Sequence, residues 1–148
     1  MARKRHPLSS DEKQRLDALL DEVLDTTVYH YGAEPRSAVR YDKRTDMYGG
    51  SGTTYLLQMF EEGDLVNNRI GAYMVLPTDD DSVGFHTHGD RDEQELYVVM
   101  QGQGAYLEKD HAEAPARRFP IETGTITTVR GPAFHAVRNT GDEPLVIF

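Results

Sequence analysis

The sequence predicts an all-β domain, a sandwich or closed barrel, preceded by a single N-terminal α-helix. Three observations predict it. From residue 53 onward the chain is a succession of short segments rich in β-branched and aromatic residues. Gly, Pro, Asp and Asn separate those segments at close intervals, as in a sandwich or barrel. One stretch, about residues 10–25, instead repeats its apolar residues with the helical period.

The helix has a start signal and a face. Ser9 stands as N-cap with Glu12 three residues on, a capping-box pattern. Leu16, Leu19, Leu20, Val23 and Leu24 form one apolar stripe. That stripe needs a partner, either the outer face of the barrel or a second subunit. Residues 26–52 read as irregular, with Tyr29, Tyr31, Pro35, Tyr41 and Tyr48 before the run Gly49-Gly50-Ser51-Gly52. The tyrosines are expected to pack this segment onto the domain. The division is thus an arm over 1–52 and a β domain over 53–148. Its candidate strands are Thr53–Phe60, Arg69–Leu76, Val83–His88, Glu95–Gln101, Gly104–Leu107, Arg117–Ile121, Thr125–Val129, Phe134–Arg138 and Leu145–Phe148.

Composition narrows the function. A chain of 148 residues suffices for one domain with a real core. The net charge of -9 repels phosphate backbones and argues against nucleic-acid binding. No apolar run is long enough to span a bilayer, and the basic start Met1–His6 is not followed by the apolar stretch of a signal peptide, so a cytoplasmic protein is expected. Cysteine is absent, which excludes disulfides, thiolate metal sites and a cysteine nucleophile. Any metal must be held by His, Asp or Glu.

Four residues have the chemistry for that. His86 and His88 are two apart, so in a strand their imidazoles share a face and can converge on one ion. Alone, such a pair is a weak signal. Glu95 opens the next apolar strand, and a hairpin through the polar stretch 89–94 would return its carboxylate to the histidines. His135 follows the turn Gly131-Pro132 and enters another strand. Together the four make an N3O donor set suited to Mn, Fe, Ni, Co or Zn.

Two segments resemble the motifs of the cupin superfamily. Gly84–Gly104 is similar to the first motif, with His86-Thr87-His88, Glu95, and Gly102 after six further residues. Gly124–Asn139 is similar to the second, with Gly124, His135 and Asn139 in order. Two departures stand out. Six residues separate His88 from Glu95 where the family has three or four, which leaves Glu93 as a rival carboxylate. Arg130-Gly131-Pro132 replaces the usual P-x-G turn.

The resemblance implies a double-stranded β-helix, the cupin barrel or jelly roll, with one divalent metal ion inside, bound by His86, His88, Glu95 and His135. It implies dioxygenase, decarboxylase, isomerase or lyase chemistry on a small polar or anionic metabolite, with a non-catalytic ligand sensor as the alternative. Fold does not choose among these. It also adds weight to a homodimer, the commonest soluble assembly. Tyr73, Tyr97 and Phe134 are candidates to line the pocket, and Arg130 to meet a substrate carboxylate. Glu93, Tyr97 and Tyr106 are candidate bases. His6, His30 and His111 read as solvated.

Overall fold

The helix begins where two side chains cap each other's backbone. The Glu12 amide donates to Ser9 Oγ at 3.2 Å, and the Ser9 amide donates to Glu12 Oε2 at 2.8 Å. This is the reciprocal capping box that the sequence predicts. The structure is a computed structural model that describes residues 5–23, 29, 32, 34–35, 40–60, 71–89 and 93–148. Within it α1 spans Ser10–Val23; Leu24 and the predicted helix end lie outside the described residues.

The strands are β1 (Arg5–His6), β2 (Arg40–Thr45), β3 (Thr53–Gln58), β4 (Ala72–Leu76), β5 (Ser82–Thr87), β6 (Gln94–Gln101), β7 (Gln103–Lys109), β8 (Arg117–Glu122), β9 (Ile126–Arg130), β10 (Phe134–Asn139) and β11 (Leu145–Ile147). Each strand expected over 53–148 is present. The predicted start of β4 at Arg69 lies outside the described residues. They form two antiparallel sheets, one in the order β1-β2-β3-β4-β11-β6-β9 and one in the order β5-β10-β7-β8.

The segment read as irregular contains a strand. β2 pairs with β3 from Arg40↔Gln58 to Thr45↔Thr53. Its sequence, Arg-Tyr-Asp-Lys-Arg-Thr, places charges on both faces, so it lacks the apolar alternation of a half-buried strand. The faces differ all the same. Asp42 and Arg44 are buried, while Tyr41 and Lys43 turn to the helix and hydrogen-bond Asp17 and Glu12.

The larger sheet is covered on both sides. Its inner face meets the smaller sheet across Met74, Leu76, Val99, Leu145 and Ile147, with Val83, Tyr106, Ile121 and Val137 opposite. Its outer face offers Leu57, Met59, Val75 and Val146 to Leu16 and Leu20 of α1. Thus β4 and β11 alternate between two apolar environments, and their near-continuous hydrophobic runs follow from that. Of the two partners open to the helical stripe, the structure chooses the outer face of its own sheet. A second subunit is not needed to cover it.

Two details fix the loops that reach the site. The Asp81 carboxylate accepts from the amides of Thr53 and Thr78, both at 2.6 Å, and so binds the start of β3 to the β4–β5 turn. The 3-10 turn Met47–Gly49 lies against β5 so closely that a Cβ on Gly84 would sit 2.2 Å from the Tyr48 carbonyl oxygen. Only glycine fits at 84.

Leu20 is 1% exposed in the outer core, so Leu20→Ala is expected to cost about 2–5 kcal/mol in urea unfolding. Deleting residues 1–25 would uncover Leu57, Val75 and Val146 and should lower solubility as well as stability. A truncated chain as stable and soluble as the full one would mean that α1 contributes nothing to the core.

Candidate metal centre

Antiparallel pairing places the first two functional residues opposite one another. β10 runs beside β5 with His135 facing His86, and the register shifts just beyond, between His135 and Val137. His88 follows the end of β5 and lies on the same face as His86. Glu95 comes from β6, in the other sheet. The site therefore sits between the sheets and draws donors from both.

The donor atoms converge. His86, His88, Glu95 and His135 each offer one ligand atom, all within 4.8 Å of one another. Nε2 of His135 is 3.0 Å from Nε2 of His86 and 3.3 Å from Nε2 of His88. Oε2 of Glu95 is 2.8 Å from Nε2 of His135 and 3.0 Å from Nε2 of His88. Adjacent donors around one ion at about 2.0–2.2 Å lie roughly 2.8–3.4 Å apart, so the spacing is that of a coordination shell.

Hydrogen bonds at the far side of each ring set its tautomer. Nδ1 of His86 lies 2.9 Å from the Gly84 carbonyl oxygen. A carbonyl only accepts, so Nδ1 carries the proton and Nε2 keeps its lone pair. Nδ1 of His88 lies 3.1 Å from Glu93 Oε2, and the same reasoning holds. Nδ1 of His135 lies 3.3 Å from the Tyr106 hydroxyl. At least two inward-facing lone pairs thus meet each other and a carboxylate. Such a group needs a cation or shared protons at its centre, and the donor set fits a divalent metal.

Protonation agrees. Burial pushes the His86 imidazole down to about 4, with neighbouring His135 acting in the same sense. Burial alone would raise the Glu95 carboxyl, but the hydrogen bond from His135 and the imidazoles of His88 and His86 outweigh it and hold it below its usual value. Burial, reinforced by Glu95, raises Tyr97 well above the ordinary phenol value. Tyr106 is raised to about 12, again chiefly by burial.

A cavity of about 360 Å³ opens beside the cluster. His86, His88, Glu93, Glu95 and Tyr97 line it, and Arg40, Arg44, Met47 and Tyr48 contribute from the N-terminal part of the chain. Tyr48 stacks on His86 with ring centroids 4.2 Å apart and an interplanar angle of 15°. Its backbone is left-handed, at φ 53, which a tyrosine adopts only when its surroundings hold it.

Of the residues proposed to line the pocket, Tyr97 does so. Tyr73 does not: it packs on the outer face of the sheet, with its ring 5.1 Å from Phe148. Phe134 also points elsewhere, toward the Lys109 ammonium at 5.7 Å. The Arg130 side chain and His30 lie outside the described residues. His6 and His111 are exposed.

Comparison with known proteins supplies the fold's name. No family model matches the chain. The chain superposes on a predicted oxalate decarboxylase from Thermotoga maritima with a TM-score of 0.62 and 26% identity, covering 72% of this chain and 86% of that one. This is a small cupin-domain protein. A cupin-like protein from Thermotoga maritima gives a TM-score of 0.51 at 20% identity over 66% of both chains. The cupin domain of Schizosaccharomyces pombe Cnp3 gives 0.53 at 11% identity, covering 84% of this chain and 82% of that one. Over 61 residues, 41% of the chain, this cupin is 39% identical to glucose-6-phosphate isomerases of Pyrococcus horikoshii and Pyrococcus abyssi. The match spans only 32% of the length of those relatives.

Sequence reasoning named Glu93 as a rival ligand or a base rather than a partner of His88, and missed two other contributors to this cupin's site. Glu93, the rival carboxylate, reaches the far nitrogen of His88, so the lengthened loop brings a carboxylate to each side of one imidazole. Tyr48 and Arg44 come from the segment read as irregular; the unusual backbone at Tyr48 leaves no trace in residue type.

Metal-free protein should lose stability in acid. A histidine displaced from about 6.5 to about 4 stays neutral in the folded state while the unfolded chain takes up a proton, so stability falls as the pH drops through that window. The loss attached to His86 is roughly 3 kcal/mol, at about 1.4 kcal/mol per pH unit. The depressed Glu95 adds a loss of the same sign at lower pH. Denaturant midpoints between pH 7 and 4 check this, and His86→Ala should flatten the profile.

Proposed function

We propose that this cupin binds one divalent metal ion through His86, His88, Glu95 and His135 and acts on a small polar or anionic metabolite. The observation that carries the reading is the inward convergence of three Nε2 atoms and one carboxylate oxygen within 4.8 Å. Mn, Fe, Zn, Ni and Co all suit such a set. The bound ion would supply Lewis-acid polarisation of a substrate oxygen and a template for its orientation. The chain's own residues support this reading. Gly84 and Glu93 hold two imidazoles in the ligating tautomer, Glu95 lowers the net charge, and Tyr48 braces His86. Met47, Leu56 and Met74 give the cavity an apolar lining beside the polar cluster. Decarboxylation, isomerisation, elimination and dioxygenation all remain within reach of this arrangement. Support for an enzyme comes from the partial likeness to isomerases and the overall likeness to a predicted decarboxylase.

Elemental mass spectrometry of purified protein should find about one transition metal per chain. His86→Ala, His88→Ala and His135→Ala should each lose most of it while keeping the β circular-dichroism signature, because the core cluster contains none of these histidines. Glu95→Gln should weaken binding more than Glu93→Gln, for which about 10–100-fold is expected. If Glu93→Gln is the more damaging change, the two carboxylates have exchanged roles.

The homodimer and the cytoplasmic setting belong to the same reading. Among the described residues, no helix is long and apolar enough to cross a membrane. With α1 committed to its own sheet, a dimer would use other apolar surface, such as Leu96 at 51% and Ile126 at 61% exposure near the β9 edge. Light scattering at micromolar concentration should give twice 16.7 kDa, and a monomer mass would rule the dimer out.

A further inference from the structure

We infer that Gln58, on the cavity wall contributed by β3, binds a hydroxyl group of the substrate, whose carboxylate reaches the metal. The inference rests on the metal reading above and narrows its substrate class to small hydroxy acids.

Strand geometry places the amide. Along β3, Leu57 turns outward to the helix, so Leu56 and Gln58 on either side of it turn inward. Leu56 packs against the core between the sheets, and Gln58 lines the same cavity as His86, His88 and Glu95. Gln58 is only 9% exposed. Among the described residues, nothing hydrogen-bonds its side-chain amide. Its cross-strand neighbours are Ala72, which has no polar side chain, and Arg40, whose Nε turns to Asp42 at 3.7 Å. Buried polar side chains nearly always have a hydrogen-bond partner, and one left unmet is costly. The Gln58 amide opens on a cavity instead, so its partner is whatever the cavity holds.

The chemistry of the amide selects the group it meets. A carboxamide is neutral and offers both N–H donors and a carbonyl acceptor. A hydroxyl also donates and accepts, so the two can satisfy each other without any charge being buried. A carboxylate only accepts and would leave the amide carbonyl unmet. Beside Gln58 on β3 and β4 stand Leu56, Ala72 and Met74, which line the cavity and offer a hydroxyl nothing. The volume of about 360 Å³ is near the lower end of the roughly 300–1,000 Å³ of ligand pockets, which keeps the acid short. A site built to bond a hydroxyl also rejects the analogue that lacks it, because its own polar group is then stranded.

The test uses full-length protein loaded with Mn²⁺, its metal content measured first. Calorimetric titration compares β-hydroxypropionate, β-hydroxybutyrate and γ-hydroxybutyrate with propionate and butyrate. At least one hydroxy acid should bind roughly tenfold or more tighter than its parent acid. Gln58→Met, similar in length but without the amide, should abolish that preference with metal content unchanged. Arg118→Gln, on the exposed strand β8, should preserve it. In metal-free protein, Gln58→Met should unfold at the same urea concentration as wild type or a higher one, since an unmet buried amide gives way to an apolar group. Gln58→Leu is read beside it, so that the misfit of one side chain is not mistaken for a lost structural bond. A lower midpoint in both variants means that the amide serves the fold, and overturns the inference. So does a preference that survives Gln58→Met, or wild-type protein that holds metal and treats hydroxy and parent acids alike. Wild-type protein that takes up no metal overturns the reading beneath it, and elemental analysis reports that before any acid is added.

Discussion

Three imidazole nitrogens and a carboxylate oxygen lie 2.8–3.3 Å apart inside a barrel. Close-packed acceptors repel, and low dielectric strengthens the repulsion. The surrounding chain must therefore hold them in place and leave a role for positive charge at their centre. The Gly84 carbonyl, Glu93 and the Tyr106 hydroxyl sit behind the rings and fix their orientation. Gly84 serves twice: its carbonyl receives the His86 proton, and its missing side chain admits the Tyr48 turn that stacks on the same ring.

The layers outside the site follow from the same need for rigidity. Donors that come from two sheets keep their spacing only if the sheets do not slide. The shared core of Leu76, Val83, Val99, Val137 and Ile147 resists sliding, since close-packed interiors transmit rather than absorb displacement. Asn139, fully buried, adds directional restraint by donating to the carbonyls of Leu76 and Glu143. Helix α1 closes the outer face, where Val75 and Val146 would otherwise meet water.

Legibility in the sequence followed physical cause. Strands of the two-sheet core announce themselves through apolar runs and turn residues, and Ser9 with Glu12 marks a helix start to the residue. The four converging residues were readable because a strand's period of two forces His86 and His88 together, while the two motifs that resemble cupins place Glu95 and His135 beside them. What stayed hidden depends on tertiary neighbours. β2 has no apolar face, because one side meets a helix through Tyr41 and Lys43 and the other a cavity through Arg40 and Arg44. Tyr73 was drawn into the pocket by residue type alone, although the pairing Leu57↔Tyr73 assigns it to the outer layer. Glu93 and Glu95 are two apart and chemically identical; both reach the His88 ring, and only the nitrogen that each meets tells them apart.

The cross-strand pairing of His86 with His135 joins residues 49 apart, and Glu95 approaches from the opposite sheet. No local segment of the nascent chain can therefore assemble the group. Closure of long loops comes first, and its entropic cost falls on the hydrophobic core rather than on coordination bonds. In the order of events during folding, any ion held there would be a late arrival, entering a frame that already has its shape.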